Sequence, residues 1–189
     1  MALKLNIIIA STRPGRAGPT IAKWVAEQSR LNEAFEVTLV DLADFKLPLL
    51  DEPAHPRLQQ YQHEHTKRWA QAIAPADAFL FVVPEYDFFV NAALVNALQF
   101  LSVEWAYKVA GVVSYGGVSG GLRSTQELRQ LLGNLNIMAL PQSVPLPFFA
   151  KFISEDQAFM PTEQMTDGLK LVLGELAKWG TALQPLRKG

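Results

Sequence analysis

The chain has 189 residues, 49% of them hydrophobic and 19% charged, with a formal net charge of −1 and no cysteine. This length suits one domain with a substantial core, and the near-neutral charge excludes a general attraction to nucleic acid or to an anionic membrane. The lack of cysteine excludes disulfides, thiolate catalysis and cysteine-ligated metal centres, so redox chemistry would need a bound cofactor.

The N-terminal part of the chain predicts a strand, an anion-binding loop and a helix. Residues 5–10 form a run that is apolar except for Asn6, which is typical of a strand buried on both faces in a parallel sheet. Residues 11–20 follow with hydroxyl side chains, two arginines, two glycines and Pro19, which suits the first turn of a helix. Because backbone N–H groups are unpaired at a helix N-terminus, we interpret this loop as a phosphate site. Arg13 is the predicted phosphate ligand, whereas Arg16 is either a ligand or a solvated charge.

Strands and helices alternate through the rest of the chain. Further strands are predicted at 35–42, 78–83, 109–114 and 137–140, and helices at 19–29, 58–74, 91–101, 122–135 and from Thr162 onwards. Parallel strands are joined by crossovers that are usually helices. The order therefore predicts an α/β fold: a three-layer, doubly wound, five-stranded parallel sheet in a single domain of residues 1–189.

Two other stretches limit the interpretation. Residues 142–160 are rich in proline and phenylalanine, and we expect them to pack against another surface, for example that of a second subunit. The apolar run near the N-terminus is too short for a signal peptide, and no run of about 18 apolar residues occurs, so no membrane association is predicted. A cytoplasmic location is the resulting expectation.

Three loops lie at the carboxyl ends of predicted strands: residues 11–20, 84–89 and 114–121. Ligands of doubly wound sheets bind beyond these ends. The first loop contains neither the G-x-x-x-x-G-K-[ST] pattern nor a G-x-G-x-x-G fingerprint, which disfavours ATP hydrolysis and a Rossmann dinucleotide site. A terminal phosphate monoester fits its donors, and Gly116 and Gly117 allow backbone to approach a flat ring closely.

The segments ASTRPGRAGPT, PEYD followed by NAALVNAL, and VVSYGGVSGG resemble the NADPH-dependent FMN reductase family of flavodoxin-like proteins, over roughly residues 4–140. The resemblance implies an FMN-dependent NAD(P)H oxidoreductase with NADPH or NADH as cosubstrate. It implies ping-pong hydride transfer through the flavin to a small-molecule electron acceptor, such as a quinone or free flavin, in a homodimer or homotetramer. Flavin N5 would carry the chemistry, so no catalytic side chain is predicted.

The same resemblance assigns cofactor-binding residues. The first loop would hold the FMN phosphate and the other two would line the isoalloxazine: Ser11, Thr12, Arg13, Ala17 and Gly18; Pro84, Glu85, Tyr86 and Asp87; Ser114, Tyr115, Gly116 and Gly117. Ala17 stands where the family often has serine, so only its amide could contact the phosphate. Asp87 stands where asparagine is common, and its negative charge is predicted to lower the flavin reduction potential or to make it depend on pH.

Other classes of function are weaker. Residues 117–121 spell G-x-S-x-G, the nucleophile-elbow pattern of α/β-hydrolases. In that fold the histidine follows the serine in the chain, and here all three histidines precede it. His63 and His65 are two apart in a predicted helix, so we expect them to face different directions and to form no metal site. A flavodoxin-like electron carrier, or a flavin-binding regulatory module without physiological NAD(P)H turnover, remains the alternative.

Overall fold

The computed structural model describes residues 2–187. Its strands are β1 (Leu3–Ile9), β2 (Phe35–Asp41), β3 (Ala78–Tyr86), β4 (Phe89–Val90), β5 (Val109–Gly116) and β6 (Met138–Pro147). Its α-helices are α1 (Gly18–Arg30), α2 (Glu64–Ile73), α3 (Ala92–Gln99), α4 (Leu122–Asn134) and α5 (Glu163–Leu183). Within this range no helix is long and apolar enough to cross a bilayer.

Five strands form a parallel sheet in the order β2-β1-β3-β5-β6, and the short β4 pairs antiparallel with β3. The first seven residues of β3 are buried on both faces of the sheet, as its apolar sequence requires. The chain leaves β1 towards β2 and then returns to β3 on the other side of β1. This reversal opens a crevice beside β1 at the carboxyl edge.

Helices cover both faces of the sheet, which makes three layers. On one face α1 and α5 bury a core that includes Trp24 and Leu169. On the other face α2, α3 and α4 enclose Trp69, Trp105 and Phe79. The indole N–H groups of Trp69 and Trp105 donate to the carbonyls of residues 97 and 98, so the burial of these two side chains leaves neither donor unpaired. The predicted doubly wound, five-stranded parallel fold is confirmed.

The predicted helix 58–74 is wrong in its first part, because α2 begins only at Glu64. Leu58 closes a short 3₁₀ turn and is 60% exposed, and Gln59 follows with a left-handed φ of 52°. The carboxylate of Glu52 accepts the N–H groups of Gln62 and His63, which secures the chain before the helix begins. The helical spacing of Leu58 with later apolar residues was coincidental.

The predicted loop 84–89 is instead a β-hairpin. Strand β3 continues through Pro84 to Tyr86, and the chain reverses at Asp87 and Phe88, whose φ values are 49° and 72°. A two-residue turn with two positive φ angles matches the twist of paired strands, and aspartate tolerates this conformation better than most residues. The hairpin positions the second predicted loop rigidly at the carboxyl edge.

The aromatic segment 142–160 packs against its own chain. Strand β6 extends to Pro147, a short 3₁₀ helix covers Phe149–Phe152, and Ile153 pairs with Phe159. The ring centroid of Phe159 lies 5.1 Å from that of Trp24, and that of Phe149 lies 5.0 Å from that of Tyr115. The segment therefore covers the middle of α1, at Trp24, and one side of the crevice.

A buried lysine at the opposite edge of the sheet gives a first testable prediction. The ammonium of Lys108 donates to the carbonyls of Ile73 and Ala74, 3.1 and 2.8 Å away, at the C-terminal end of α2. Burial lowers the pKa of Lys108 to about 8 from its ordinary value of 10.5. Between these values the unfolded chain holds the proton and the folded chain has lost it, so this group makes stability rise with pH.

We expect the free energy of unfolding to rise by up to about 3 kcal/mol between pH 8 and pH 10, since each pKa unit of Lys108 corresponds to about 1.4 kcal/mol. Urea unfolding at several pH values, compared with Lys108→Met, measures it. The methionine variant should lose this part of the pH dependence, and equal slopes for the two proteins would contradict the prediction.

Candidate active site

A cavity of about 640 Å³ opens at the carboxyl edge of the sheet. It is lined by residues 13–17, 84–86, 115–117 and 148–151. The first three segments belong to the three loops predicted from the sequence, and the crevice beside β1 brings them together. The fourth is the turn after β6. The volume falls within the range usual for small-molecule sites.

The first loop ends at the N-terminus of α1, where several backbone donors are unpaired. Ala17 caps the helix without a side-chain hydrogen bond, and Pro19 in the first turn has no N–H. Within residues 2–187 the N–H groups of Ala17, Gly18 and Thr20 have no backbone acceptor. Thirteen residues of aligned peptide dipoles lie behind these donors, which makes the position attractive to an anion.

Gly18 is required by close packing under this helix end. A Cβ atom on Gly18 would lie 2.9 Å from Cγ2 of Ile9 and 3.2 Å from the hydroxyl of Tyr115. The missing side chain lets α1 begin directly against β1 and β5. The anion site is therefore formed by main chain, with Gly18 at its base.

The two arginines of the loop differ in their partners. The guanidinium of Arg16 bonds the carboxylate of Asp41 at the end of β2, and its side chain is only 19% exposed. Arg13 is exposed, lines the cavity and takes part in no ion pair among residues 2–187. Arg16 is therefore neutralised in place, and Arg13 is the cation available to a ligand.

Two tyrosines extend the donor set. The hydroxyl of Tyr115 is buried without a hydrogen-bond partner among the described residues, and its burial raises its pKa, so the phenol stays protonated. The hydroxyl of Tyr86 shares a hydrogen bond of 2.7 Å with that of the buried Ser11. A buried, unpaired donor is costly unless a ligand satisfies it. The Tyr115 hydroxyl lies at the foot of the α1 anion site.

Glu85 has a structural role. Its side chain is 6% exposed and accepts hydrogen bonds from the Ser119 hydroxyl at 2.7 Å and from the backbone N–H of Arg123 at 3.0 Å. It thereby satisfies the N-terminus of α4 and holds the third loop. Ser119 is the serine of the G-x-S-x-G pattern. A serine hydrolase would require this hydroxyl to bond a histidine, but here it donates to a carboxylate.

Some predicted ligands lie away from the cavity. Thr12 lines a separate depression of about 210 Å³ together with Lys46 and Asn96. Ser114 is fully buried, and its hydroxyl donates to the carbonyl of Gly120 at 2.9 Å. Asp87 is exposed at the hairpin tip and is not among the lining residues. Asp87 therefore does not contact the cavity, and its charge would not act at short range on a flavin bound there.

The other predicted residues are placed together. Those that line the cavity are Arg13, Ala17, Pro84, Glu85, Tyr86, Tyr115, Gly116 and Gly117. Ser11 and Gly18 support it from below through Tyr86 and Tyr115. Sequence reasoning missed residues 148–151 as lining residues. The high content of proline and phenylalanine after β6 indicated that this segment packs against another surface, but it did not indicate which surface.

The histidines form a pair that the sequence did not predict. His63 lies before α2 with extended backbone, and its ring stacks on that of His65 with centroids 5.2 Å apart and planes 8° apart. Both Nε2 atoms face Asp51, at 3.9 and 3.0 Å, so the expectation that the two side chains face different directions is wrong. Their ring planes are parallel, so the in-plane lone pairs do not converge on one ion. Among residues 2–187 no group of three potential ligands could hold a metal.

Fold and cavity together define a flavodoxin-like α/β protein with a cleft at the carboxyl edge of its sheet, next to the unpaired N–H groups of α1. Over residues 3–151 the chain matches the model of the NADPH-dependent FMN reductases, and it belongs to that family. The resemblance drawn from the three loops is confirmed, and with it the class, an oxidoreductase that depends on FMN and NAD(P)H.

Individual relatives agree with this assignment. An NAD(P)H-dependent FMN reductase of Schizosaccharomyces pombe is 41% identical over 73% of this chain and 70% of its own. A probable NADPH:quinone oxidoreductase of Oryza sativa is 32% identical over 69% of this chain and 64% of its own. The solved structure of FerB, a flavoenzyme NAD(P)H:(acceptor) oxidoreductase from Paracoccus denitrificans, superposes with a TM-score of 0.76 at 18% identity, over 96% of this chain and 98% of that one. This last likeness concerns the fold.

Proposed function

We propose that the cavity binds FMN with its phosphate at the N-terminus of α1 and its ring between the hairpin of β3 and β4 and the loop after β5. The supporting observation is the set of unsatisfied donors at one place: the N–H groups of Ala17, Gly18 and Thr20, the buried hydroxyl of Tyr115 and the unpaired Arg13. A dianionic phosphate monoester satisfies them together. Of the phosphate ligands proposed from the sequence, Arg13 and the amides of Ala17 and Gly18 are kept. The hydroxyl of Ser11 bonds that of Tyr86 instead, and Thr12 lies away from the cavity.

The ring site follows from the remaining lining residues. Pro84 and Tyr86 form one side of the cavity, and Gly116 and Gly117 offer bare backbone on another. No atom lies within 4 Å of a Cβ built on Gly117, so this residue leaves room for a flat ligand. The hydrogen bond to Ser11 fixes the side chain of Tyr86. Tyr86 therefore shapes the ring site and is not needed as a proton donor or acceptor in the reaction.

In this proposal the flavin supplies the redox chemistry, taking a hydride from NAD(P)H and passing the electrons to an acceptor. The protein binds the phosphate, orients the ring and limits access of water. A single cavity serves both substrates, so reductant and acceptor use it in turn, which is a ping-pong cycle. The acceptor is a small oxidised molecule such as a quinone or free flavin, the class that the names of the relatives indicate.

The assembly proposed is a homodimer or homotetramer. Its support is the hairpin tip, where Phe88 and Phe89 are 62% and 63% exposed next to the cavity. Exposed aromatic pairs of this kind favour self-association, and sedimentation equilibrium measures it. The single FMN-binding domain of residues 1–189 and the cytoplasmic location stay predictions.

A direct test uses the purified protein. We expect it to take up FMN from solution in about a one-to-one ratio, and anaerobic addition of NADPH or NADH to bleach the bound flavin because hydride transfer reduces the ring. Stopped-flow absorbance records the rate. Failure to bind FMN would contradict the site. Binding without bleaching by either nucleotide would favour the electron carrier or the regulatory module.

A further inference from the structure

The turn after β6 supplies a cation that the FMN site does not use. Three cationic side chains line the cavity: Arg13, Arg16 and Lys151. Arg16 is neutralised by Asp41, and Arg13 stands at the phosphate end. None of the ion pairs within residues 2–187 includes Lys151. The only acidic lining residue is Glu85, whose carboxylate already serves the N-terminus of α4.

The turn is held against the ring end of the cavity. The N–H of Phe148 donates to the carbonyl of Gly117 at 3.1 Å, and Phe149 packs on the ring of Tyr115. Gly117 belongs to the loop proposed to face the flavin ring. The ammonium of Lys151 lies over the ring of Phe148, so Lys151 stands beside the loop that is proposed to face the flavin ring.

The backbone of this turn is strained. Phe148 has a φ of 48°, a left-handed conformation that is uncommon for an aromatic residue. The N–H of Lys151 donates to the carbonyl of Phe148 at 2.9 Å, which closes the turn, and the ammonium lies 5.0 Å from the centroid of the Phe148 ring. Phe148 is 49% exposed. Strain at a cavity wall that presents an aromatic face and a cation together is typical of a binding surface.

We propose that Lys151 binds a phosphate group of the nicotinamide dinucleotide, with the exposed face of Phe148 packing against the same ligand. This inference rests on the proposed function. FMN brings one phosphate, for which the α1 N-terminus and Arg13 provide the donors, and its ring carries no phosphate. The dinucleotide is the other anionic ligand that the reaction requires, and an unpaired ammonium beside the ring end suits its phosphates. Lys151 is thus a binding residue for the reductant.

The test compares holoprotein carrying Lys151→Gln, Lys151→Glu or Lys151→Arg with the parent, and uses Lys23→Gln as the control. Lys23 is an exposed lysine of α1 that takes part in no ion pair among the described residues, so its removal matches the loss of charge. Calorimetry measures NADP⁺ and NAD⁺ binding, fluorescence measures FMN binding, and steady-state kinetics give KM and kcat for NADPH and NADH.

For Lys151→Gln we expect the Kd of NADP⁺ and the KM of NADPH to rise about fivefold to twentyfold, which is typical for loss of one charge-assisted contact at a partly open site. Lys151→Glu should raise them further and Lys151→Arg should restore them. The Kd of FMN, kcat and the Lys23→Gln control should stay within about twofold of the parent, the scatter expected of a surface change.

The two nucleotides distinguish the phosphate bound. A loss confined to NADP⁺ and NADPH assigns Lys151 to the 2′-phosphate, and an equal loss for both nucleotides assigns it to the pyrophosphate. Unchanged dinucleotide binding in Lys151→Glu would overturn the inference. So would a weaker affinity for FMN by the same factor, because Lys151 would then belong to the cofactor site. A parent protein that binds no FMN would overturn the proposed function. That result is distinct from unchanged dinucleotide binding in the Lys151 variants.

Discussion

Replacement of Arg13 by alanine is expected to weaken FMN binding about tenfold to a hundredfold, the usual effect of losing a hydrogen bond to a charged group. Arg13 lines the cavity beside the N-terminus of α1 and forms no ion pair in the described part of the chain. Its removal takes one positive charge from the phosphate site and leaves the core unchanged. Fluorescence titration of the apoprotein with FMN measures the effect, and urea unfolding should show the same stability as the parent.

Riboflavin makes this prediction specific, because it has the same ring as FMN and no phosphate. Arg13→Ala should leave riboflavin binding unchanged, so the preference of the protein for FMN should fall by the full factor. Arg13→Lys keeps the charge but not the planar fork of donors, and should retain part of the affinity. Equal losses for FMN and riboflavin, or FMN bound as tightly as by the parent, would show that the phosphate lies elsewhere.

Replacement of Gly121 by alanine should destabilise the protein by at least about 3 kcal/mol, the sum of a strained backbone conformation and a steric clash. Gly121 has a φ of 85°, and a Cβ there would lie 2.7 Å from Cβ of Ser114 and 2.8 Å from the backbone nitrogen of Tyr115. Neither neighbour can move freely, since both belong to β5, which is paired on both sides by β3 and β6. Urea unfolding of the apoprotein measures the loss.

Gly117 is the matched control, four residues earlier in the same loop. Its φ lies outside the left-handed region and a Cβ there meets no atom within 4 Å. Gly117→Ala should therefore change the free energy of unfolding by no more than about 0.5 kcal/mol, as expected for an exposed site. Because Gly117 lines the cavity, the same variant should still weaken flavin binding. If the two alanine variants were equally stable, the close approach of Gly121 to β5 would be incorrect.

These two predictions separate two roles of glycine in one loop. Gly121 allows the chain to turn tightly behind β5, and Gly117 leaves space in front of it. The carboxylate of Glu85 links them, because it holds Ser119 between the two glycines and the first turn of α4 behind them. Fold stability and ligand space are thus set by different residues of the segment 116–121.

Much of the architecture could be predicted because its signals are local. The apolar runs that begin β3 and β5 are continuous, and that of β1 is interrupted only at Lys4 and Asn6, as burial on both faces of a parallel sheet favours. Thr162 accepts the N–H of Met165 as the predicted cap of α5. The predicted start of the second helix, at residue 58, was wrong. The spacing of apolar residues alone cannot show that the backbone of Gln59 has a left-handed conformation.

The sequence by itself determined the doubly wound fold, the family and the three loops at the carboxyl edge, since each depends on hydrophobic period, turn chemistry or short motifs. Only the tertiary structure decided which residues of those loops face the cavity. Thr12 lines a separate depression beside α3, and the hydroxyl of Ser114 donates to the carbonyl of Gly120. Arg16 is taken by Asp41 from another strand, and residues 148–151 join the site from the end of β6. These placements follow from contacts between segments that are distant in the chain. A local sequence pattern does not indicate which distant group a side chain will contact.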